Sequence, residues 1–285
     1  LGETVGAALV AHEKVAGVVF TGSTQVAKII QRGLANKDGP IVPLIAETGG
    51  INAMLVDSTA LPEHVADAVV QSAFRSAGQR CSALRLLCLH EEIAGKVIHM
   101  LNGAAKELTV GDTQHLATDV GPLIDREAFD GISVHLARLA AGVAPAASHR
   151  DAVTHAIGPH IFEIGSIAEV KQEIFGPVLQ IVRWSGDPHA VIDQINALGY
   201  GLTLGIQTRI DSRAESLAHR ARIGNVYINR NIIGAVVGVQ PFGGEGLSGT
   251  GPKAGGPFYL PRFCGEQTIT INTVAAGGNV TLLMA

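Results

Sequence analysis

The chain has 285 residues, a formal net charge of −4 and 47% hydrophobic residues. It is long enough to fill one large hydrophobic core or two smaller ones, and its nearly balanced charge argues against a nucleic-acid or membrane-surface partner. Its apolar runs are far shorter than the roughly 20 residues that cross a bilayer, so we expect no membrane span. Three cysteines without framework spacing favour a reducing, cytoplasmic compartment.

The first half of the chain alternates short apolar runs with runs of helical period. The predicted strands are 15–23, 43–50, 52–57 and 84–91. The predicted helices are 24–35, 61–78 and 92–108. Thr24, Pro62 and Gly78 stand where helix starts and ends favour such residues. This alternation favours an α/β protein with a mainly parallel sheet.

The second half continues the pattern, apart from the less regular segment 140–170, in which "GPHIFEIGSI" (158–167) is the candidate strand. Helices are predicted at 128–142, 188–201 and 212–224, and strands at 178–184, 202–209 and 225–230. Residues 266–274 alternate and are rich in Thr and Ile, which is typical of an exposed or edge strand that needs a partner.

Cys81 stands in the stretch "SAGQRCSALR" (76–85), directly after a predicted helix and between Arg80 and Arg85. Positive neighbours and exposed backbone N–H groups favour a reactive thiolate. The competing interpretation is a small buried apolar side chain, which is how most cysteines behave. The local sequence leaves both interpretations open.

Glu47 lies in "IAETGG", at the carboxyl end of a predicted strand and before two glycines. Ligands of open α/β sheets collect beyond that edge, so this carboxylate is a candidate for facing a cleft. The alternative is a solvated glutamate that starts a turn.

Two other motifs are set aside. "GEGLSG" (244–249) satisfies G-x-G-x-x-G but lacks the flanking strand and helix and the later acidic residue of a dinucleotide-binding turn. His149, His155 and His160 are close in sequence but have no Cys or carboxylate at ligand spacing, so we expect no metal site.

A family resemblance rests on a set of motifs in a fixed order. The motifs are "FTGS" (20–23), "ETGG" (47–50), "GQRCS" (78–82), "EIFGP" (173–177) and "QPFGG" (240–244). Together they resemble the aldehyde dehydrogenase superfamily. The stretch "NRNIIGAVVGVQPFGGEGLSGTGPKAGGP" (229–257) more closely resembles the L-glutamate γ-semialdehyde (1-pyrroline-5-carboxylate) dehydrogenase domain of bifunctional proline utilization A proteins.

The resemblance implies an aldehyde dehydrogenase-like α/β fold. Residues 1–46 would be the back part of a Rossmann-like NAD-binding domain, and 47–250 a parallel-sheet catalytic domain. Residues 251–285 would form a C-terminal segment with an oligomerisation strand, which implies a homo-oligomer and most simply a dimer.

The resemblance also implies a catalytic pair. Cys81 would attack the aldehyde to give a thiohemiacetal, which passes a hydride to NAD and leaves a thioester. Glu47 would activate the water that hydrolyses the thioester, and the Cys81 backbone N–H would supply half of an oxyanion hole. Such roles suit a thiolate nucleophile and a buried carboxylate base.

For the cofactor, the resemblance implies that Gly22 and Ser23 approach the pyrophosphate of NAD with their backbone N–H groups. Glu173 would hold the nicotinamide ribose hydroxyls, and Phe175 would lie near the ring.

For the substrate, glutamate semialdehyde, the resemblance assigns the carboxylate to Ser82, Gly234 and Ala235. Phe74 and Phe242 would sandwich its aliphatic middle. For Phe74 the alternative is an ordinary helix-core position, and the two interpretations are nearly balanced.

The chain begins at Leu1 without a signal segment, and we therefore expect further sequence upstream. The front part of the NAD-binding domain and an FAD-binding proline dehydrogenase domain would lie outside this chain, so we expect the chain alone to be inactive. Two alternatives stay open: a dehydrogenase of another aldehyde such as succinate semialdehyde, and a non-catalytic piece that assembles with other chains.

Overall fold

The computed structural model describes residues 2–140 and 149–272 and the single positions 275, 281 and 284. Its helices are α1 (Ala7–Ala11), α2 (Thr24–Ala35), α3 (Pro62–Phe74), α4 (Glu91–Glu107), α5 (Arg126–Ala140), α6 (Pro188–Asn196) and α7 (Asp211–Arg220). The strands of four residues or more are β1 (Val18–Thr21), β2 (Leu44–Glu47), β3 (Asn52–Val56), β4 (Leu84–His90), β7 (His160–Glu163), β8 (Val178–Trp184), β10 (Thr203–Gln207) and β11 (Asn225–Ile228). Two-residue strands are β5 (Arg150–Asp151), β6 (Ala156–Ile157), β9 (Tyr200–Gly201) and β12 (Glu245–Gly246).

A six-stranded sheet forms the centre of the fold, in the order β11-β10-β3-β4-β8-β7. Each neighbouring pair in it runs parallel. Parallel strands need crossover connections, and helices supply most of those here. The predicted α/β class with a mainly parallel sheet is therefore confirmed.

The two faces of this sheet carry separate hydrophobic clusters, because successive side chains of a strand point to opposite faces. On β4, Leu87 and Leu89 belong to the cluster that includes residues of α3, α4 and α5. Leu86 and Cys88 belong to the cluster that includes residues of α6 and α7. Burial on both faces explains why the central strands are nearly continuous apolar runs.

A second, two-stranded parallel sheet pairs β1 with β2, with Thr21 opposite Glu47. The end of β2 is also bonded to a distant segment, residues 247–250. Thr48 donates its backbone N–H to the Ser248 carbonyl at 2.9 Å. Its hydroxyl donates to the Leu247 carbonyl at 2.6 Å. The carboxyl end of β2 is thereby covered by the chain around residue 248.

Several predicted elements end earlier than the sequence suggests. The α-helix predicted over 61–78 ends at Phe74, because Ser76, Ala77 and Gly78 adopt positive φ angles of 55°, 53° and 65°. The helix predicted over 188–201 ends at Asn196, and the last two positions form β9 instead. The last two positions of the helix predicted over 128–142 lie outside the described residues.

The strand predicted over 266–274, which is expected to need a partner, stays a prediction, because the described part of it has no strand partner within this chain. Residues 266–272 are exposed and pair with no described strand, while 273 and 274 lie outside the described residues. An isolated extended segment lacks the backbone partners that define a strand.

In the segment 140–170 the candidate strand "GPHIFEIGSI" (158–167) contains the edge strand β7, while residues 141–148 lie outside the described part. Across the described residues, no helix is both long and apolar enough to cross a membrane.

Candidate active site

Cys81 lies in the loop that leads from the end of α3 into β4, at the amino end of the large sheet. The left-handed turn at Ser76–Gly78 redirects the chain toward that loop. A side chain at Gly78 would overlap the backbone carbonyl of Gly176, so two backbones meet at this point. Positive φ is costly for residues other than glycine, so the contacts around this turn must hold it in place.

Asn52 is one of the residues that hold the loop. This buried side chain donates to the carbonyls of Cys81 at 2.7 Å and Ala83 at 2.9 Å, and it accepts from the Thr203 N–H at 3.1 Å. It therefore ties the Cys81 loop to the first residues of β3 and β10. Sequence reasoning missed Asn52. The available signal was a polar residue at the start of a buried strand, directly after the "TGG" turn and one apolar residue.

Glu47 reaches the same region from the carboxyl end of β2. Its Oε2 accepts a hydrogen bond from the Gly244 N–H at 2.9 Å, and its Oε1 is buried without a partner among the described residues. A β-carbon at Gly243 would lie 2.8 Å from Oε1, and one at Gly249 would lie 3.0 Å from both oxygens. The glycines of the "PFGG" and "LSG" stretches thus leave room for the carboxylate.

Burial raises the pKa of Glu47 from 4.5 to about 7. The Gly244 N–H and the positive charge of Lys253 partly oppose that rise in pKa. Lys253 is held in place by donating to the Gly224 carbonyl. A carboxylate whose pKa lies near neutrality is suited to accept a proton at physiological pH.

The Cys81 thiol has a raised pKa, so the nearby charges of Arg80 and Arg85 do not outweigh the causes that disfavour its thiolate. Burial is the largest cause, and the negative charges of Glu173 and Glu47 also raise the pKa, while backbone N–H groups of Ser82 and Cys81 lower it. The flanking arginines have other partners: Arg80 donates to the Ser76 hydroxyl at 3.0 Å and Arg85 pairs with Glu173 at 3.3 Å.

A cavity of about 510 Å³ opens beside Cys81. Four of the residues that the sequence assigns to chemistry or substrate line it: Cys81, Ser82, Ala235 and Phe242. Gln79, Gln240 and Gly255, which sequence reasoning did not select, also line it. The Ser82 hydroxyl makes no hydrogen bond to the described residues, so it is available to a ligand in the cavity.

Two other predicted substrate residues stand differently. Gly234 is next to the lining residue Ala235 but is not itself part of the lining; its φ is 72°. The backbone N–H groups of Gly234 and Ala235 have no partner within the described chain. Phe74 is 1% exposed in the hydrophobic cluster under α3, and it does not line the cavity. The structure therefore places Phe74 in the core, where the helix-core alternative had it.

Glu173 lies between the Cys81 loop and the two glycines of "ETGG". A β-carbon at Gly49 would overlap its Oε2, and the backbone N–H of Gly50 acts to lower its pKa. Burial raises the pKa of Glu173 above its usual value, and the charge of Arg85 opposes that rise. Phe175 is 44% exposed, with its ring centroid 5.3 Å from the Arg85 guanidinium carbon.

The turn at Gly22 and Ser23 starts α2. The Ser23 hydroxyl caps the helix by accepting from the Val26 N–H at 3.2 Å. The Gly22 N–H is committed to the Glu47 carbonyl at 3.2 Å, so this amide is not available for the predicted pyrophosphate contact. The N–H groups of the next three residues, Ser23–Gln25, have no partner within the described chain. Such a helix start is suited to bind phosphate.

Of the two motifs set aside, "GEGLSG" contains Gly244 and Gly249, which border the Glu47 carboxylate. No group of three His, Cys, Asp or Glu side chains within the described ranges is placed to hold a metal ion. His160 is buried, with Nδ1 2.8 Å from the Gly158 carbonyl. "GEGLSG" runs beside β2 and β9, with no helix after it.

The chain matches the family model described as "Aldehyde dehydrogenase family" over residues 1–269. It is 53% identical over 279 residues to the bifunctional protein PutA of Klebsiella aerogenes, covering 93% of this chain and 21% of that protein. It is 36% identical over 276 residues to the 1-pyrroline-5-carboxylate dehydrogenase of Geobacillus kaustophilus, covering 94% of this chain and 53% of that protein. The chain thus spans about a fifth of the length of that PutA protein and about half of the length of that dehydrogenase.

Solved structures give the same result. A crystal structure of a mutant of Bradyrhizobium japonicum proline utilization A (PutA) superposes with a TM-score of 0.91 at 58% identity, over 96% of this chain and 28% of that one. The 1-pyrroline-5-carboxylate dehydrogenase from Thermus with bound NAD superposes with a TM-score of 0.83 at 32% identity, over 92% and 52%.

The charge of Glu47 acting on the Cys81 thiol can be tested without turnover. Glu47→Gln removes one anion that disfavours the thiolate, so the pH at which Cys81 reaches half its maximal rate of alkylation by iodoacetamide should fall. Labelling of the Cys81 peptide is followed by mass spectrometry over a pH series, with the exposed Cys264 as an internal reference. Glu245→Gln, at an exposed position, is the matched control. An unchanged midpoint in Glu47→Gln would contradict this description of the site.

Proposed function

The chain belongs to the aldehyde dehydrogenase family, and from this premise we propose that it carries the reaction centre of an NAD-dependent L-glutamate γ-semialdehyde dehydrogenase. The product would be L-glutamate, formed in proline catabolism from 1-pyrroline-5-carboxylate. One observation carries the proposal: Cys81 lines a cavity together with Ser82, whose hydroxyl is unpartnered, and the charge of the Glu47 carboxylate, whose pKa is about 7, acts on the Cys81 thiol. The names of the relatives at 53% and 36% identity support the choice of substrate.

The first step is addition of the Cys81 sulfur to the aldehyde carbon. The thiol must lose its proton first, and its raised pKa means that a base is needed at neutral pH. Solvent in the cavity beside Cys81 is that base, and the Glu47 charge disfavours the thiolate, so this step does not require Glu47. A carbon–sulfur bond then forms, and the carbonyl oxygen becomes the alkoxide of a thiohemiacetal. The Cys81 N–H would donate to that oxygen.

The second step turns the thiohemiacetal into a thioester on Cys81. NAD+, when bound, accepts the hydride that leaves the former aldehyde carbon. Glu47 then takes a proton from a water molecule whose oxygen adds to the acyl carbon. The carbon–sulfur bond breaks, which releases the carboxylic acid of glutamate and regenerates the Cys81 thiolate. The acid then loses its proton to solvent and becomes the carboxylate.

The residues present fit a dinucleotide on the β1–β2 side of the site. The unpartnered amides of Ser23–Gln25 suit a pyrophosphate, and the Glu173 carboxylate suits the hydroxyls of a ribose. Phe175, half-exposed beside Arg85, suits the nicotinamide ring. In this proposal residues 1–46 belong to the NAD-binding domain, 47–250 to the catalytic domain and 251–285 to a C-terminal segment.

The substrate carboxylate would meet the Ser82 hydroxyl and the backbone amides of Gly234 and Ala235. Successive amides around a glycine of positive φ form a concave anion site. Phe242 lines the cavity and would cover the aliphatic part of the substrate. Ser82 and this loop favour glutamate semialdehyde over other aldehydes such as succinate semialdehyde.

Two further features bear on where the protein is located and on whether its chains assemble. All three cysteines are free thiols, which supports a cytoplasmic location. Exposed apolar side chains are grouped near the end of the described chain and support a homo-oligomer, most simply a dimer: Phe258, Leu260, Phe263, Ile269 and Ile271. An FAD group, if the protein is bifunctional, would bind outside this chain.

Replacing the nucleophile tests the proposal most simply. In the protein that carries this chain, Cys81→Ala should abolish NAD+-dependent oxidation of glutamate semialdehyde, because no carbon–sulfur bond can form. NAD+ binding, measured by calorimetry, should persist. Cys264→Ala, at an exposed cysteine, is the matched control and should retain turnover. Normal turnover by Cys81→Ala would refute the assignment.

Ser82→Ala tests the carboxylate anchor. Loss of a hydrogen bond to a charged group costs on the order of 1.5–3 kcal/mol, so KM for glutamate semialdehyde should rise roughly tenfold or more. KM for an uncharged aldehyde of similar length should change much less. Ser185→Ala, at an exposed serine remote from the cavity, serves as the control. Equal changes in KM for the two aldehydes would contradict the proposal that the Ser82 hydroxyl binds the substrate carboxylate.

A further inference from the structure

Arg85 is a buried cation in the second position of β4, four residues after Cys81. Its Nη1 donates to the carbonyls of Gly78 at 2.7 Å and Gly176 at 3.1 Å. Its Nη2 donates to the Arg80 carbonyl at 3.1 Å and to Glu173 Oε1 at 3.3 Å. A charge that is 2% exposed is costly unless it is paired and hydrogen-bonded. The four acceptors satisfy the two terminal nitrogens, while Nε is buried without a partner among the described residues.

The four acceptors belong to two segments that are far apart in the sequence. Gly78 and Arg80 precede Cys81 in its loop, whereas Glu173 and Gly176 belong to the "EIFGP" turn. The two segments also touch directly, since a β-carbon at Gly78 would overlap the Gly176 carbonyl. One guanidinium therefore fastens the Cys81 loop to the turn that carries Glu173.

We propose that Arg85 is a positioning residue that fixes the Cys81 loop and the Glu173 carboxylate in one arrangement, so that the nucleophile and the candidate cofactor ligand are held by the same side chain. The role of Glu173 toward NAD+ rests on the proposed function. A lysine could supply the charge but not the planar fork that reaches acceptors on both segments.

The charge of Arg85 also matters for what Glu173 can accept. The groups whose charges interact with Glu173 are Arg85, the Cys81 thiol and the Tyr200 hydroxyl. Arg85 is the cation among them, and it opposes the rise in pKa that burial causes. Without that cation the carboxyl keeps its proton up to a higher pH. A protonated carboxyl has lost part of its capacity to accept from two ribose hydroxyls.

The test measures NAD+ affinity by calorimetry over a pH series in the protein that carries this chain. Arg85→Met should weaken NAD+ binding roughly tenfold near neutral pH, a typical loss for a bond to a charged group. As the pH falls, the Arg85→Met protein should lose affinity at a higher pH than the unaltered protein. Arg85→Lys retains the charge, so the pH at which half of the NAD+ affinity is lost should be that of the unaltered protein. Its kcat should fall, because a lysine cannot make all the hydrogen bonds by which the guanidinium holds the Cys81 loop.

A double-variant cycle tests whether Arg85 acts through Glu173. Glu173→Gln should weaken NAD+ binding by itself, and adding it to Arg85→Met should cause less than a roughly twofold further loss, since coupled residues are not additive. Arg183→Met is the matched control. It removes an exposed arginine–glutamate pair on the neighbouring strand β8 and should change neither affinity nor its pH dependence.

The outcomes separate this proposal from the proposed function. If Cys81→Ala abolishes turnover but Arg85→Met keeps the original pH midpoint and its loss adds to that of Glu173→Gln, the positioning role is refuted and the proposed function stands. If Cys81→Ala retains turnover while Arg85→Met shifts the pH midpoint of NAD+ affinity, the proposed function is refuted and the positioning role of Arg85 stands. Protection of the buried Cys88 from alkylation reports an intact fold in each variant. If Arg85→Met does not fold, Arg85→Lys decides: unaltered affinity and kcat would contradict the proposal.

Discussion

The enclosure of the Glu47 carboxylate is the contact on which the candidate site depends. The donor to its Oε2 is the Gly244 N–H, 197 residues further along the chain. That loop reaches Glu47 because the end of β2 bonds to residues 247–250 and because glycines at 243 and 249 leave space for the carboxylate. The same enclosure removes water from the carboxyl group, which raises its pKa to about 7. The tertiary closure around β2 thus sets the acid–base property of the site.

The site also collects interactions that are unfavourable for folding. Two carboxylates and a thiol interact in a partly buried space, and two non-glycine residues have positive φ beside them. Groups outside the chemistry hold this arrangement in place: Asn52 ties the Cys81 loop to the ends of β3 and β10, and Arg85 ties it to the Glu173 turn. Sites that store strain or raised pKa values need such rigid surroundings, and the large parallel sheet provides them here.

The sequence predicts the α/β class and most of the main strands and helices because those depend on local periodicity and end signals. It also points to Cys81, Ser82, Glu47 and Glu173, because motifs in a fixed order carry family information. It does not predict the raised pKa of the Cys81 thiol. Two arginines beside a cysteine suggest a thiolate, but their actual partners, Ser76 for one and Glu173 for the other, depend on the tertiary fold.

Other differences between the sequence-based predictions and the structure also come from tertiary contacts. Asn52 and Arg85 look unremarkable in one dimension, and their importance comes from acceptors that are up to 151 residues away for Asn52 and 91 for Arg85. Phe74 fits both a helix core and a substrate pocket by residue type, and only the direction of α3 against the sheet places it in the core. The alternating run after residue 265 has strand composition, but composition cannot supply the partner that a strand requires.

The central claim is that Cys81 carries the acyl group and Glu47 removes it. It is tested most directly by the mass of the Glu47→Gln protein after mixing with glutamate semialdehyde and NAD+. The account predicts an adduct of the mass of the glutamyl group on the peptide that contains Cys81, together with about one equivalent of NADH per site, since thioester formation outpaces hydrolysis. Absence of an adduct while NADH forms continuously, or an adduct on another residue, would contradict it.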